Sequence, residues 1–341
     1  MIDALIADPL ATAHLLSIRS EMKYSMVVPI YRDGSLADAF CTEFEQVFQK
    51  YLSTEDISES VELIFVNDGS TDDSMERLIE VCKKYRFASA VGLSRNFGQH
   101  IALAAGFAHA SGDFVGSLNV DMEDPPDQIP ILLEEYKKGD YDLVFGVRKE
   151  RHSPFMVKLT SVLFHWMLNK LTGYEYPTNI ATLRLMNRRF TDAYLRFCEK
   201  TPFLDGLQFW LGFKRHYVQI THQARKAGKS SYNFRRRFVM ATNSIISFSD
   251  LPLRMTVVVG TFIALCGFLY ALVVIYQRLF MDVQAGFSSL VSIIIFLGGV
   301  QMLVIGLASL YIGRILQEVQ NRPLYVVREK VGFEKASMSG K

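Results

Sequence analysis

The chain has 341 residues, half of them hydrophobic, and 37 Lys and Arg against 35 Asp and Glu give a formal net charge of +2. That balance excludes a charge-driven nucleic-acid partner, while a mean hydropathy of +0.15 is high for a wholly soluble enzyme. Cys41, Cys82, Cys198 and Cys266 show no C-x-x-C spacing and no nearby His, which points to reduced, structural thiols and not to a zinc site or a disulfide framework.

Residues 1–22 form an N-terminal extension with room for a short helix. Asp3 and Asp8 stand where a secretory signal would need basic residues and an unbroken apolar core. From Tyr24 onward, short apolar runs alternate with amphipathic stretches. Residues 25–30, 61–66, 88–93, 114–118 and 142–146 read as strands, and 73–85 as a helix with acidic residues at its start and Lys83 and Lys84 at its end. Strands that alternate with helices imply βαβ units and a mainly parallel sheet. Ligands of such sheets bind beyond the carboxyl ends of the strands.

Two segments in that position carry chemistry. Val66-Asn-Asp-Gly-Ser-Thr-Asp-Asp73 runs from a strand into a helix, so Asp68 can accept hydrogen bonds from a base or a ribose hydroxyl while Gly69 permits the turn; the same residues also make an ordinary turn and helix cap. Leu118-Asn-Val-Asp-Met-Glu-Asp-Pro-Pro126 follows the next strand. In extended backbone, alternate residues project to one side, so Asn119, Asp121 and Glu123 are expected to offer three oxygens to a hard cation, Mg²⁺ or Mn²⁺; a solvated acidic turn is the alternative.

Residues 153–172 set Lys158, Ser161, His165 and Asn169 on one helical stripe against a wide apolar arc, the pattern of a packed surface helix or of one lying in a membrane interface. Arg235, Arg236 and Arg237 open a juxtamembrane segment over 235–254. Residues 257–276 and 290–311 hold no formal charge and are long enough to cross a bilayer core, giving a transmembrane hairpin within 255–313. Arginines flank the pair on its outer sides (Arg254 before it; Arg314, Arg322 and Arg328 after it), which assigns both ends, and the tail 314–341, to the cytoplasm.

The two strand-end motifs, in this order, resemble family 2 glycosyltransferases of the GT-A fold. Val28-Pro-Ile-Tyr31, Ser94-Arg-Asn-Phe-Gly98 with Gln99 and His100, Ala104-Ala-Gly106, Gly112-Asp113, Phe145-Gly-Val-Arg148, Leu183-Arg-Leu-Met186, Phe203-Leu204 with Gly206, Ala227-Gly-Lys-Ser-Ser-Tyr232 and Ser247-Phe-Ser-Asp-Leu-Pro-Leu-Arg254 extend the likeness to the polyprenyl-phosphate subgroup, which includes dolichol-phosphate mannose synthases and phage-type sugar-lipid synthases. The resemblance implies a GT-A domain over 23–234 followed by two transmembrane helices. It also implies inverting transfer of one sugar from a UDP- or GDP-linked donor to a polyprenyl phosphate, undecaprenyl phosphate in a bacterium, for cell-envelope glycan modification. The enzyme would be a multi-pass protein of the bacterial inner membrane with its catalytic domain in the cytoplasm, surrounded by membrane lipids, with a second copy and a flippase as further partners.

By the same resemblance Pro29, Tyr31, Asp68 and Arg95 bind the nucleotide sugar. Asp121 is the catalytic metal ligand, joined by Glu123 and Asn119. Arg148, Lys158, Ser161, Arg225, Lys229 and Ser230 serve the acceptor phosphate or the diphosphate. Three positions depart from the family pattern: Arg32-Asp33 where Asn-Glu is usual, Asn119 where the acidic motif begins with Asp, and Thr182 where relatives carry a carboxylate proposed as a base. A phosphate acceptor tolerates the last change, since a phosphate monoester is mostly dianionic near pH 7 and needs little deprotonation. The competing readings are a nucleotide-sugar-binding membrane scaffold and a processive polysaccharide synthase; the latter would carry a Gln-x-x-Arg-Trp motif, which the chain lacks.

Overall fold

The computed structural model describes residues 22–148, 179–197, 204–221, 251–280 and 286–333. The chain divides into two compact units, one of Met1–Leu159, Tyr176–Ser231 and Pro323–Lys341, the other of Thr160–Glu175 and Tyr232–Arg322.

The first unit is built on an eight-stranded sheet in the order β7-β5-β6-β4-β1-β2-β3-β8. Strands β1 (Tyr24–Ile30), β2 (Val61–Asn67), β3 (Ala88–Leu93), β4 (Phe114–Ser117) and β5 (Leu143–Arg148) fall where the apolar runs predict them. Strands β6 (Ile180–Asn187), β7 (Arg215–Ile220) and β8 (Val327–Val331) were not foreseen. The sheet is mixed: β1–β2, β1–β4, β2–β3 and β5–β7 pair in parallel, whereas β4–β6, β5–β6 and β3–β8 are antiparallel. The parallel centre matches the expectation, and the antiparallel pairs lie outside it.

Central strands are buried on both faces, hence their near-continuous apolar sequences. Met26, Val28 and Ile30 of β1, with Leu63 and Phe65 of β2, pack on α1 (Ala37–Leu52). This helix buries Ala37, Phe40, Cys41, Phe44, Phe48 and Tyr51, a helical stripe whose aromatic rings also reach Phe65, Phe87 and Tyr24. Full burial of each such phenylalanine stabilises the fold by about 1.5–3 kcal/mol. The intervening residues, Val27 and Val66, face α3 (Gln99–His109), where Gly106 allows a close approach: a Cβ there would lie 2.1 Å from Cγ1 of Val27. Helices α2 (Ser74–Lys84), α4 (Ile129–Lys138), α5 (Arg188–Leu195) and α6 (Leu204–Trp210) complete the described helices of this unit.

In the second unit, α7 (Leu251–Phe280) and α8 (Phe287–Val319) run 30 and 33 residues. Pro252 sits in the first turn of α7, where its missing N–H costs nothing. Both helices expose large apolar side chains, Phe262, Phe268 and Tyr276 on α7 and Leu290, Phe296 and Ile312 on α8 among them. Among the described residues, one stretch is long and apolar enough to cross a membrane, Phe296–Val319 in α8; the apolar stretch of α7, Met255–Tyr270, is shorter.

Candidate active site

Four parallel strands, β1 to β4, deliver their carboxyl-end loops to one edge of the sheet. After β2, the backbone N–H of Asp68 bonds to the carbonyl of Ile30, at 2.8 Å, so the first two loops start in register. They stay tied together: Arg32, in the left-handed region at φ 63°, donates its N–H to Ser70 Oγ and its guanidinium to Thr71 Oγ1, while Gly34 N–H reaches Ser74 Oγ. Tyr31 is 42% exposed with the Arg32 guanidinium over its ring, and Pro29 is half-buried within β1.

Asp68 faces inward, 4% exposed, and its two carboxylate oxygens accept the backbone N–H groups of Phe97 and Gly98 at 2.7 and 2.8 Å. It therefore anchors the loop after β3. Gly69 is the seat of the same loop, since a Cβ there would lie 2.1 Å from the carbonyl carbon of Arg95, and its φ of +61° is one glycine adopts without strain. Arg95 is exposed on that loop with its guanidinium over the Phe97 ring.

Burial pushes the Asp68 carboxyl up from its ordinary value, against the Phe97 and Gly98 N–H groups and the Arg95 charge, which pull it down. A carboxyl raised on folding contributes stability below its unfolded value of about 3.9 and loses it as pH rises through the folded value. Loop anchoring runs the other way, because the ionised form accepts both N–H groups. If this loop receives a nucleotide, as the resemblance implies, affinity is expected to fall on acidification with a midpoint above about 3.9. Asp68→Asn, with one acceptor oxygen for two donors, should bind weakly throughout. Calorimetric titrations across pH check this, and a midpoint at or below the ordinary aspartate value refutes it.

The acidic segment after β4 departs from expectation. It turns at Val120–Asp121, and Met122 occupies the left-handed region at φ 58°, a conformation that non-glycine residues rarely adopt. Asn119, Asp121 and Glu123 therefore sit on a turn and not on the extended backbone expected of them. Asp121 is buried and takes the N–H of Glu123 on Oδ1 at 3.2 Å. Asn119 is engaged elsewhere: its Oδ1 accepts from Gln99 Nε2 and its Nδ2 donates to Thr182 Oγ1, both at 3.0 Å. Among the described residues, no three His, Cys, Asp or Glu side chains gather as a cation cage.

Arg148, at the end of β5, does not stand free for a phosphate either. Its Nε and one terminal nitrogen fork onto the two oxygens of Asp124 at 2.8 and 2.7 Å, and its other nitrogen lies 3.3 Å from Glu123. Burial alone would lower the guanidinium; Asp124, Glu123 and Asp121 outweigh it and raise its pKa. Lys158, Ser161, Arg225, Lys229 and Ser230, the helix over 153–172 and Arg235 to Arg237 lie outside the described residues.

Three contributors were missed in the sequence. Asp124 belongs to the acidic motif, but nothing local tied it to Arg148. Gln99 had no assigned role, and Val326, whose carbonyl accepts the Ser94 N–H at 2.9 Å, lies beyond the apolar helices. The sequence did single out Asn119 and Thr182, and the structure adds that the two share one hydrogen bond. Asn119→Asp alone should be tolerated, since the Thr182 hydroxyl can turn donor. Changing both to Asp sets two carboxylates at hydrogen-bond distance, where one must hold a proton. The two changes are expected to act non-additively on turnover, with a shifted pH–rate profile in the double variant; additive effects would rule the coupling out.

The profile of glycosyl transferase family 2 matches residues 25–195, the segment that carries these loops. The chain belongs to that family. The mixed sheet with helices on both faces is its GT-A arrangement, and the chain is a glycosyltransferase. The likeness of this family 2 enzyme to relatives extends past the matched segment. An uncharacterized glycosyltransferase of Bacillus subtilis (strain 168), YkcC, is 35% identical over 315 residues, 92% of this chain and 95% of that protein. An uncharacterized glycosyltransferase of Synechocystis sp. is 34% identical, covering 92% of this chain and 97% of the relative. The bactoprenol glucosyl transferase of Shigella phage SfII is 34% identical over 310 residues, 90% and 98% of the two chains.

Proposed function

We propose that this glycosyltransferase moves one sugar, with inversion, from a UDP- or GDP-linked donor to the phosphate of a polyprenyl lipid, undecaprenyl phosphate in a bacterium, at the cytoplasmic face of the inner membrane. One observation carries the reading. Similarity to a bactoprenol glucosyl transferase runs over 98% of that protein, so it takes in the long apolar helices as well as the catalytic domain.

The order of elements supports a two-span hairpin. Strand β8 follows α8 in sequence yet pairs with β3 of the sheet built before α7. A chain that crosses a bilayer once between β7 and β8 would leave β8 on the wrong side, so crossings come in even numbers. If Phe296–Val319 spans, α7 spans too, and the flanking arginines orient both ends toward the cytoplasm.

In this reading Tyr31, Arg95 and the loop held by Asp68 receive the nucleotide. Asp121, with Glu123 beside it, supplies carboxylate oxygens for Mg²⁺ or Mn²⁺, an ion that needs one or two such ligands when substrate phosphates provide the rest; the engaged Asn119 fits this role poorly. The cation, when bound, neutralises charge on the departing diphosphate. Arg148 orders the acidic turn through Asp124, which leaves Lys158 and Ser161, with Arg225, Lys229 and Ser230, as candidates for phosphate contacts. The acceptor dianion attacks without a base, consistent with Thr182. Incubating the purified chain with Mn²⁺, labelled nucleotide sugars and undecaprenyl phosphate should yield one lipid-phosphate sugar. Nucleotide binding without turnover of any donor would refute the reading.

A further inference from the structure

The loop Ser94–Gly98 is held at three places. Its far end hangs on Asp68 through Phe97 and Gly98, and its middle rests on Gly69. Its near end is held by the segment that follows the apolar helices: the Ser94 N–H donates to the Val326 carbonyl at 2.9 Å. From there β8 runs antiparallel along β3, pairing Leu93 with Val327, Gly92 with Glu329, Val91 with Lys330 and Ala90 with Val331. The register slips between Gly92 and Leu93, directly before the loop, and such irregularities re-aim the chain that leaves a strand. Gly92 meets Glu329 closely, a Cβ there lying 3.0 Å from Cγ of Glu329.

We propose that residues 326–331 are a positioning element of the nucleotide-sugar site: the strand beyond the apolar helices fixes the loop Ser94–Gly98 and so sets donor affinity. This rests on the reading above that the loop faces the donor. A loop that loses its near anchor must be ordered in part by its ligand, and that ordering is subtracted from affinity. Neither Val326 nor β8 needs to touch the donor. Coupling of this kind is reciprocal, so nucleotide must also steady β8.

The test uses the full-length chain in detergent with Mn²⁺ and UDP or GDP, whichever the wild type binds. Ser94→Pro deletes the single N–H that reaches Val326, while Ser94→Ala keeps it. Arg328→Pro with Glu329→Pro breaks the β8 ladder, since consecutive N–H groups alternate in direction and one of the two faces β3. Nucleotide Kd is expected to rise about five- to tenfold in Ser94→Pro and in the β8 variant, to rise less in Ser94→Ala, which keeps the N–H, and the acceptor KM should not move. In the unmodified chain, nucleotide should slow amide hydrogen exchange across 326–331, a measurement that needs no variant to fold. Wild-type affinity in the variants with a lowered Tm, or exchange in β8 indifferent to nucleotide, overturns the proposal and makes β8 an edge cover alone. A wild-type chain that binds neither nucleotide overturns the donor reading first and this inference with it.

Discussion

Replacing Asp121 with Ala is expected to lower kcat by about a thousandfold while the protein stays folded. Asp121 lies at the carboxyl end of β4, buried in a turn that its own Oδ1 helps to shape through the Glu123 N–H. A carboxylate that holds a catalytic cation contributes several kcal/mol of charge stabilisation in the transition state, and about 4 kcal/mol corresponds to that factor. Asp121→Asn separates charge from shape. It preserves an oxygen for the Glu123 N–H, so the turn survives, but it removes the negative charge and should lose nearly as much activity. Turnover at saturating Mn²⁺, measured beside nucleotide binding and Tm, checks both. Retained metal-dependent transfer in either variant removes Asp121 from the cation site.

Arg148→Ala has a different expected signature, a loss of stability. The Asp124 side chain is fully buried, and Arg148 covers it with a two-pronged hydrogen bond. Removing the guanidinium strands a charge in the interior, at a cost of about 3–5 kcal/mol. Removing both partners, as Arg148→Met with Asp124→Leu, should cost less than Arg148→Ala alone, because no charge is left unpaired. Arg148→Lys should rescue only in part, since an ammonium cannot fork onto a carboxylate. Thermal unfolding of the four chains orders them. Were Arg148→Ala as stable as wild type but raised in acceptor KM, the guanidinium would be a phosphate ligand, as the resemblance implies.

The centre of the fold was legible because β1 to β5 are short apolar runs bounded by turn residues, and parallel strands buried on both faces need such runs. Strand β6 escaped because Ile180–Asn187 includes Thr182, Arg184 and Asn187 among its apolar residues, and partners from elsewhere in the chain, such as Gln208 of α6 at 2.6 Å from the Arg184 guanidinium and the Phe145 ring beneath it, accommodate that arginine as a buried residue. Strand β8 escaped because Val-Arg-Glu-Lys-Val reads as a charged tail, and its partner β3 lies far back in the chain. In the acidic motif the residue types were readable and the geometry was not: Met122 lies in the left-handed region, which a non-glycine residue rarely adopts, and Glu123 beside it pairs with Arg148. Helices α7 and α8 outrun the charge-free segments; Arg278 and Arg314 lie inside them.

Ribosomes release a chain in order, and here the order matters. Strand β3 leaves early, whereas the strand that covers its open side, Val327–Val331, leaves only after both apolar helices. Through that interval β3 offers an unpaired edge, which is a template for pairing with other chains. Completion of the sheet therefore waits on synthesis of both apolar helices, and a chain stalled before residue 326 leaves that edge open. The loop Ser94–Gly98 thus receives its near anchor, the Val326 carbonyl, last.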